Sequence, residues 1–110
     1  MNKKTVQLFI DTSKSEKIKV GITIHGKRFD KESDSRVQKA QALLGLINDL
    51  LKKHALTIRD VTSISVNSGP GSFTGLRVGV AVANSLGWSL GIPVNGEIRK
   101  IALPIYSRDF

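Results

Sequence analysis

"SISVNSGPGSFTGLRVGVAVANSLGWSLGIPV", residues 63–94, is the stretch that decides the fold of this chain. "SISV" (63–66) reads as a short buried strand. Three glycines, a proline and two hydroxyl side chains follow within "GPGSFTG" (69–75) and form a tight turn. A helix is expected over about residues 74–90, and "GIPV" (91–94) enters as a further strand. Strand, glycine turn, helix and strand in that order predict a parallel unit with a helical crossover.

Upstream, Val6 to Ile10 is a short apolar run suited to a central strand. "DTSKSEK" (11–17) is a polar turn. In "IKVGITI" (18–24) Ile18, Val20, Ile22 and Ile24 alternate, as in a half-buried strand. His25-Gly26 makes a tight turn, and "KRFDKE" (27–32) returns as a short, charged edge strand. "SDSR" then opens a helix with Ser33, Asp34 or Ser35 as cap. Val37, Ala40, Leu44, Ile47 and Leu51 follow helical spacing, flanked by Leu43, Leu46 and Leu50. Lys52, Lys53 and His54 close that helix, where cations suit its dipole, and His54 reads as a helix-end residue and not a ligand. Thr57 with Asp60 resembles a short capping turn. The expected fold is α/β: a mixed five-stranded sheet, an antiparallel meander plus two parallel strands, with two main helices on its faces.

With 110 residues the chain predicts one domain. It contains no cysteine, which excludes disulfides and Cys-based metal sites. Its apolar runs are too short to span a membrane. "MNKKTVQLFIDTSKSE" (1–16) lacks the pattern of a signal peptide, so the expected location is the cytoplasm. Seventeen Lys and Arg against nine Asp and Glu give a net charge of +8. That excess favours polyanions. Lys14, Lys17, Lys19, Lys27, Arg28 and Lys31 cluster around the predicted hairpin, but no aromatic is interleaved with them, and a solvated basic face is the favoured reading.

The glycine loop invites a phosphate reading, since helix N-termini present N–H groups to anions. It lacks the Gly-Lys-Ser/Thr of a Walker loop, and its glycines at 69, 71 and 75 are one residue too widely spaced for a dinucleotide fingerprint. Within the helix, Gly75, Gly79, Ala83, Gly87 and Gly91 recur every fourth residue. Each glycine in a helix interior costs up to about 1 kcal/mol against alanine, so the stripe needs a reason. Either the helix lies close on its own sheet or another helix docks there. Arg77 in the first turn opposes the dipole and calls for an anionic neighbour, Asp11 or a phosphate. Ser72 and Thr74 read as caps, because neither His25 nor His54 lies near enough in sequence to activate them. Asp11 ends the first strand, but no companion carboxylates are evident for a metal.

"LFIDTS" (8–13) and "SGPGSFTGLRVGVAVANSLGWSLGIPV" (68–94) closely resemble the TsaB family, also called YeaZ. The resemblance covers most of residues 5–95. It implies a ribonuclease-H-like, actin-like lobe over residues 1–95. It also implies a non-catalytic scaffold that pairs with a TsaD-type subunit in threonylcarbamoyl modification of tRNA adenosine. ATP and metal would belong to that subunit, with no cofactor in this chain. A TsaE-type ATPase is a further implied partner, a homodimer is expected, and contact with tRNA would be indirect or weak. The family uses helices of this half for its contacts, which implicates Leu44, Ile47, Leu51, Gly75, Leu76, Gly79, Val80 and Ala83. On that reading Gly79→Leu should block association and spare the fold. Asp11, Thr12 and Ser13 match a phosphate-loop position, with Gly69, Pro70, Gly71, Ser72, Phe73, Thr74 and Arg77 as further phosphate contacts. "LPIYSRDF" (103–110) resembles the family's C-terminal segment, so residues 96–110 are expected as a tail on a minimal member lacking a second subdomain. The region "KESDSRVQKAQ" lacks the histidine common in relatives. A degenerate nucleotide-binding lobe and a basic accessory tRNA-binding protein are the alternatives.

Overall fold

The structure is a computed structural model that describes residues 5–14, 16–34 and 40–98. Four strands form one sheet: β1 (Val6–Asp11), β2 (Lys17–Ile24), β3 (Lys27–Asp34) and β4 (Ser63–Val66). Two helices, α1 (Ala40–Lys53) and α2 (Phe73–Leu90), complete the fold. The strand order is β3-β2-β1-β4. The first three strands make the antiparallel meander, and β4 joins β1 in parallel.

Register explains the core. Leu8 sits between Ile22 and Ile64, and Ile10 between Val20 and Val66, so these side chains share one face. Val6, Leu8, Ile10, Ile18, Val20 and Ile22 are fully buried on that face. From α1, Leu43, Leu46, Ile47, Leu50 and Leu51 join the same core, as do Val80, Val82 and Ala83 from α2. Each such buried aliphatic contributes roughly 1.5–3 kcal/mol of transfer free energy. Both helices therefore cover one face, and the expectation of helices on both faces is corrected. The opposite face carries Phe9 beneath the guanidinium of Arg28, 4.6 Å from the ring centre. Arg28 also pairs with Asp30 at 2.7 Å. Both of these side chains lie over Gly21, where a Cβ would collide with them.

Local structure departs from expectation at two places. The edge strand runs on to Asp34, with Ser33 opposite Ile18 and Asp34 opposite Lys17. Ser33 and Asp34 are thus strand residues and not helix caps, because the ladder takes up their backbone groups. Ser35 and Val37 lie outside the described residues. The fifth strand is reduced to one parallel bridge, Val94 beside Ile64. Asn95-Gly96 then turns the chain back, with positive φ at both residues and Val94 and Glu97 exchanging hydrogen bonds of 2.9 and 3.1 Å. Asn-Gly is a strong reversal signal, and here it ends the strand.

Asn95 also completes the sheet edge. Its side-chain Oδ1 accepts from the Val66 N–H at 2.8 Å, and its Nδ2 donates to the Val66 carbonyl at 3.1 Å. A carboxamide thus substitutes for the missing strand backbone. Asn95→Ala should cost about 2–3 kcal/mol, combining the lost pair with the loss of asparagine's tolerance of positive φ. Asn95→Gly keeps the φ freedom and should cost about 1–2 kcal/mol. Urea unfolding measures both, and an unchanged midpoint for Asn95→Gly would show that the amide contributes nothing.

Candidate functional site

The glycine loop is closed by the protein itself. Thr12 is fully buried, and its hydroxyl donates to the Gly75 carbonyl at 2.6 Å. Gly79, one turn further along α2, leaves the space in which the Thr12 side chain sits. Ser13 offers its carbonyl to the Ser72 N–H at 2.8 Å, and Gly71 lies so close that a Cβ would stand 2.8 Å from Ser13. Ser72 caps α2, its side chain accepting from the Gly75 N–H at 3.4 Å. The Gly69 N–H donates to Asn67 Oδ1 at 3.0 Å.

Asp11 holds the other side of this junction. Its Oδ1 accepts from the Ser13 N–H at 2.9 Å, the Ser13 hydroxyl at 2.6 Å and Asn67 Nδ2 at 3.3 Å. Burial pushes the carboxyl pKa up, but these donors and the charge of Lys14 outweigh it and hold Asp11 below its ordinary value of 3.8. A carboxylate favoured in the folded state stabilises it above the unfolded pKa, and that contribution is lost as pH falls through the folded pKa. Asp11→Asn should therefore be less stable than the parent by about 1 kcal/mol at pH 7. The gap should close as pH falls below about 4. Denaturant unfolding at pH 7 and at acid pH checks this, and a gap that widens in acid would refute it.

Asn67 was not among the sequence-predicted residues. It ties β4 to the β1 end through Asp11 and Ser13 Oγ, the latter at 3.3 Å. Its place just before the glycine turn is the signal that would have found it, since Asn favours side-chain turns.

The expected interface divides in two. Ile47, Leu51, Gly75, Leu76, Gly79, Val80 and Ala83 are buried inside the chain and cannot line its surface. The stripe of small residues is used by this chain's own packing: Gly79 leaves room for Thr12, whose hydroxyl bonds the Gly75 carbonyl, and a Cβ on Gly87 would meet Val94 and the Ile92 carbonyl. Gly91, left-handed at φ 66°, ends the helix. Leu44 alone of the eight is exposed, at 36%. It borders a groove between the helices with Ala40, Ala81, Val82, Ser85 and Leu86, of about 260 Å³. A second hollow of about 400 Å³ adjoins it, lined by Ala40, Thr74, Arg77, Val78 and Ala81. Trp88, one helical turn beyond Ser85, is 57% exposed. Of the expected phosphate contacts, Thr74 and Arg77 thus line a groove on the helical side, while Asp11, Thr12, Ser13, Gly71 and Ser72 bond or pack with one another. Pro70 is exposed, and Phe73 is the first residue of α2. Among the described residues, no three of His, Cys, Asp and Glu converge as metal ligands, and no helix is long and apolar enough to cross a membrane.

Comparison with known proteins fits this architecture. Residues 34–98 match the family model described as TsaD, tRNA N6-adenosine threonylcarbamoyltransferase. YeaZ from Pseudomonas aeruginosa superposes with a TM-score of 0.75 at 31% identity, covering 82% of this chain and 42% of that one. This chain belongs to that family, in its TsaB/YeaZ branch. A relative from Buchnera aphidicola subsp. Baizongia pistaciae is named tRNA threonylcarbamoyladenosine biosynthesis protein TsaB. It is 30% identical over 90 residues, 82% of this chain and 40% of the relative. The Bacillus subtilis protein of the same name is 43% identical over 64 residues, 58% of this chain and 28% of its own length. The chain therefore spans less than half the length of these TsaB/YeaZ relatives. The mixed sheet and two helices belong to the YeaZ fold, with four strands where five were expected. The expected tail, 96–110, falls from residue 99 onward outside the described residues.

Proposed function

We propose that this chain is a non-catalytic docking subunit in threonylcarbamoyl modification of tRNA adenosine, binding a TsaD-type protein through the outer faces of α1 and α2. The observation that carries the reading is the continuous groove shared by Ala40, Leu44, Ala81 and Ser85, flanked by the exposed Trp88. Large exposed apolar side chains beside an apolar groove mark interaction surfaces. The TsaD description of the matching family model and the names of the relatives support a TsaD-type partner. The closed loop supports a non-catalytic role: the hydroxyl of Thr12 and the carboxylate of Asp11 are engaged internally. A homodimer through the same groove is the expected resting state, in the cytoplasm, with a TsaE-type ATPase as a further partner of the assembly.

Light scattering on the chain alone and mixed with a TsaD-type protein tests this. The expected result is a homodimer that converts to a mixed complex. A chain whose mass ignores that protein at micromolar concentrations would overturn the reading.

A further inference from the structure

The outer edge of β4 is closed by a residue that can be changed chemically. The Ile64 N–H donates to the Pro93 carbonyl at 2.9 Å, and the Ile64 carbonyl accepts from the Asn95 N–H at 2.9 Å. The next outward-facing residue, Val66, bonds both polar atoms of the Asn95 side chain, at 2.8 and 3.1 Å. Asn95 thus makes three of the four bonds that seal this edge. It is also the only one of the chain's five asparagines that is followed by glycine. Asparagine is a thermolabile residue, and a following glycine leaves the next backbone nitrogen unshielded. Nothing lies within 4 Å of where a Cβ on Gly96 would stand, and Asn95 itself is exposed, so water reaches the pair.

Ring closure needs Asn95 Cγ over the Gly96 nitrogen. In the closed edge both polar atoms on Cγ are held toward Val66. The reaction therefore waits on opening of the edge. We propose that Asn95-Gly96 is a deamidation site gated by the β4 edge. The closed edge protects the asparagine, and an opened edge lets it convert and then does not close again as before.

The chemistry needs only water. The Gly96 nitrogen attacks Asn95 Cγ, the Cγ–Nδ2 bond breaks, and Nδ2 leaves as ammonia with the Gly96 amide proton. Water then opens the cyclic imide. Cleavage of the new bond at Cγ gives aspartate. Cleavage at the original peptide carbonyl gives isoaspartate, whose main chain runs through Cβ and Cγ. Both products lack Nδ2, so the Val66 carbonyl loses its donor. In aspartate a carboxylate oxygen faces that carbonyl instead. Isoaspartate lengthens the backbone between Val94 and Glu97 and breaks their hydrogen-bond exchange.

The test follows deamidation of the full chain at mildly alkaline pH by mass spectrometry, with an isoaspartyl methyltransferase assay for the second product. A synthetic peptide of residues 91–98 gives the unprotected rate. When closing outpaces the chemistry, the rate tracks the open population, and the folded chain should react about tenfold more slowly than the peptide, or slower still. Gly87→Ala leaves the Asn-Gly pair untouched, but its β-carbon would press on Val94 and the Ile92 carbonyl. It should speed the reaction by about threefold or more by loosening the edge. Urea below the unfolding transition should also speed deamidation of the unaltered chain, which serves if Gly87→Ala does not fold. Equal rates in the folded chain and the peptide would overturn the gating. So would acceleration that appears only with global unfolding. Hydrogen exchange tests the one-way step: the Val66 amide should exchange about tenfold faster in the converted chain and in Asn95→Asp. Unchanged protection of Val66 would overturn that step.

Discussion

Gly79→Ala will destabilise this chain, although alanine is the better helix former. On an exposed helix the change would stabilise by up to about 1 kcal/mol. Here the new β-carbon runs into the Thr12 hydroxyl and stands 3.3 Å from Thr12 Cβ and Cγ2. Thr12 has nowhere to go, because it is fully buried and its hydroxyl is committed to the Gly75 carbonyl. Displacing it strands a buried hydroxyl at about 1–3 kcal/mol and overpacks the junction by a similar amount. The expected net loss is about 2–3 kcal/mol after the gain in helix propensity, a fall in Tm of 10 °C or more. Gly79→Leu should leave the chain unfolded, against the sequence-based expectation that it would spare the fold. Thr12→Ala/Gly79→Ala restores the room and should be more stable than Gly79→Ala alone. Thermal unfolding of the three variants decides it. A neutral or stabilising Gly79→Ala would mean that α2 does not rest on Thr12.

The same pair of residues shows where sequence reading ends. The period-four stripe in α2 was legible, and so was the conclusion that it permits close approach. What it approaches was not, because periodicity identifies a face and not the neighbour across it. The neighbour is Thr12, 63 positions from the carbonyl it bonds. Alternation in β1 and β2 was readable because one face is buried and the other solvated. The 91–94 segment carried a strand's composition, but Asn95-Gly96 turns it away after a single bridge, and the Asn95 side chain then pairs with Val66. Side chains that act as backbone leave no periodic trace. Leu44 and Ile47 show the same limit on α1. They are three positions apart and equally apolar, yet one borders the groove and the other is sealed in the core.

Ala81→Glu and Leu44→Glu should each weaken association with a TsaD-type protein by 100-fold or more while leaving the fold intact. Both positions are exposed in this chain, and surface substitutions of that kind usually change stability by less than about 0.5 kcal/mol. In a complex the same positions would lie at the centre of the α1–α2 groove. A carboxylate closed into an apolar contact without a partner loses its hydration, and central interface residues commonly contribute 2 kcal/mol or more. Lys53→Glu, an equal or larger change of charge outside the groove, should have little effect. Trp88 provides a direct readout, since it is the one tryptophan of the chain and stands on the same ridge of α2. Its emission should shift to shorter wavelength when a tryptophan-free variant of the partner covers it, and Ala81→Glu should abolish the shift. The measurement is the midpoint of that shift against partner concentration. Wild-type midpoints in both groove variants would move the docking surface off the helices. Loss in the groove variants together with a dispersed homodimer would show that the two assemblies compete for one face. Self-association would then regulate docking, because each copy bound to its twin is a groove withheld from the partner.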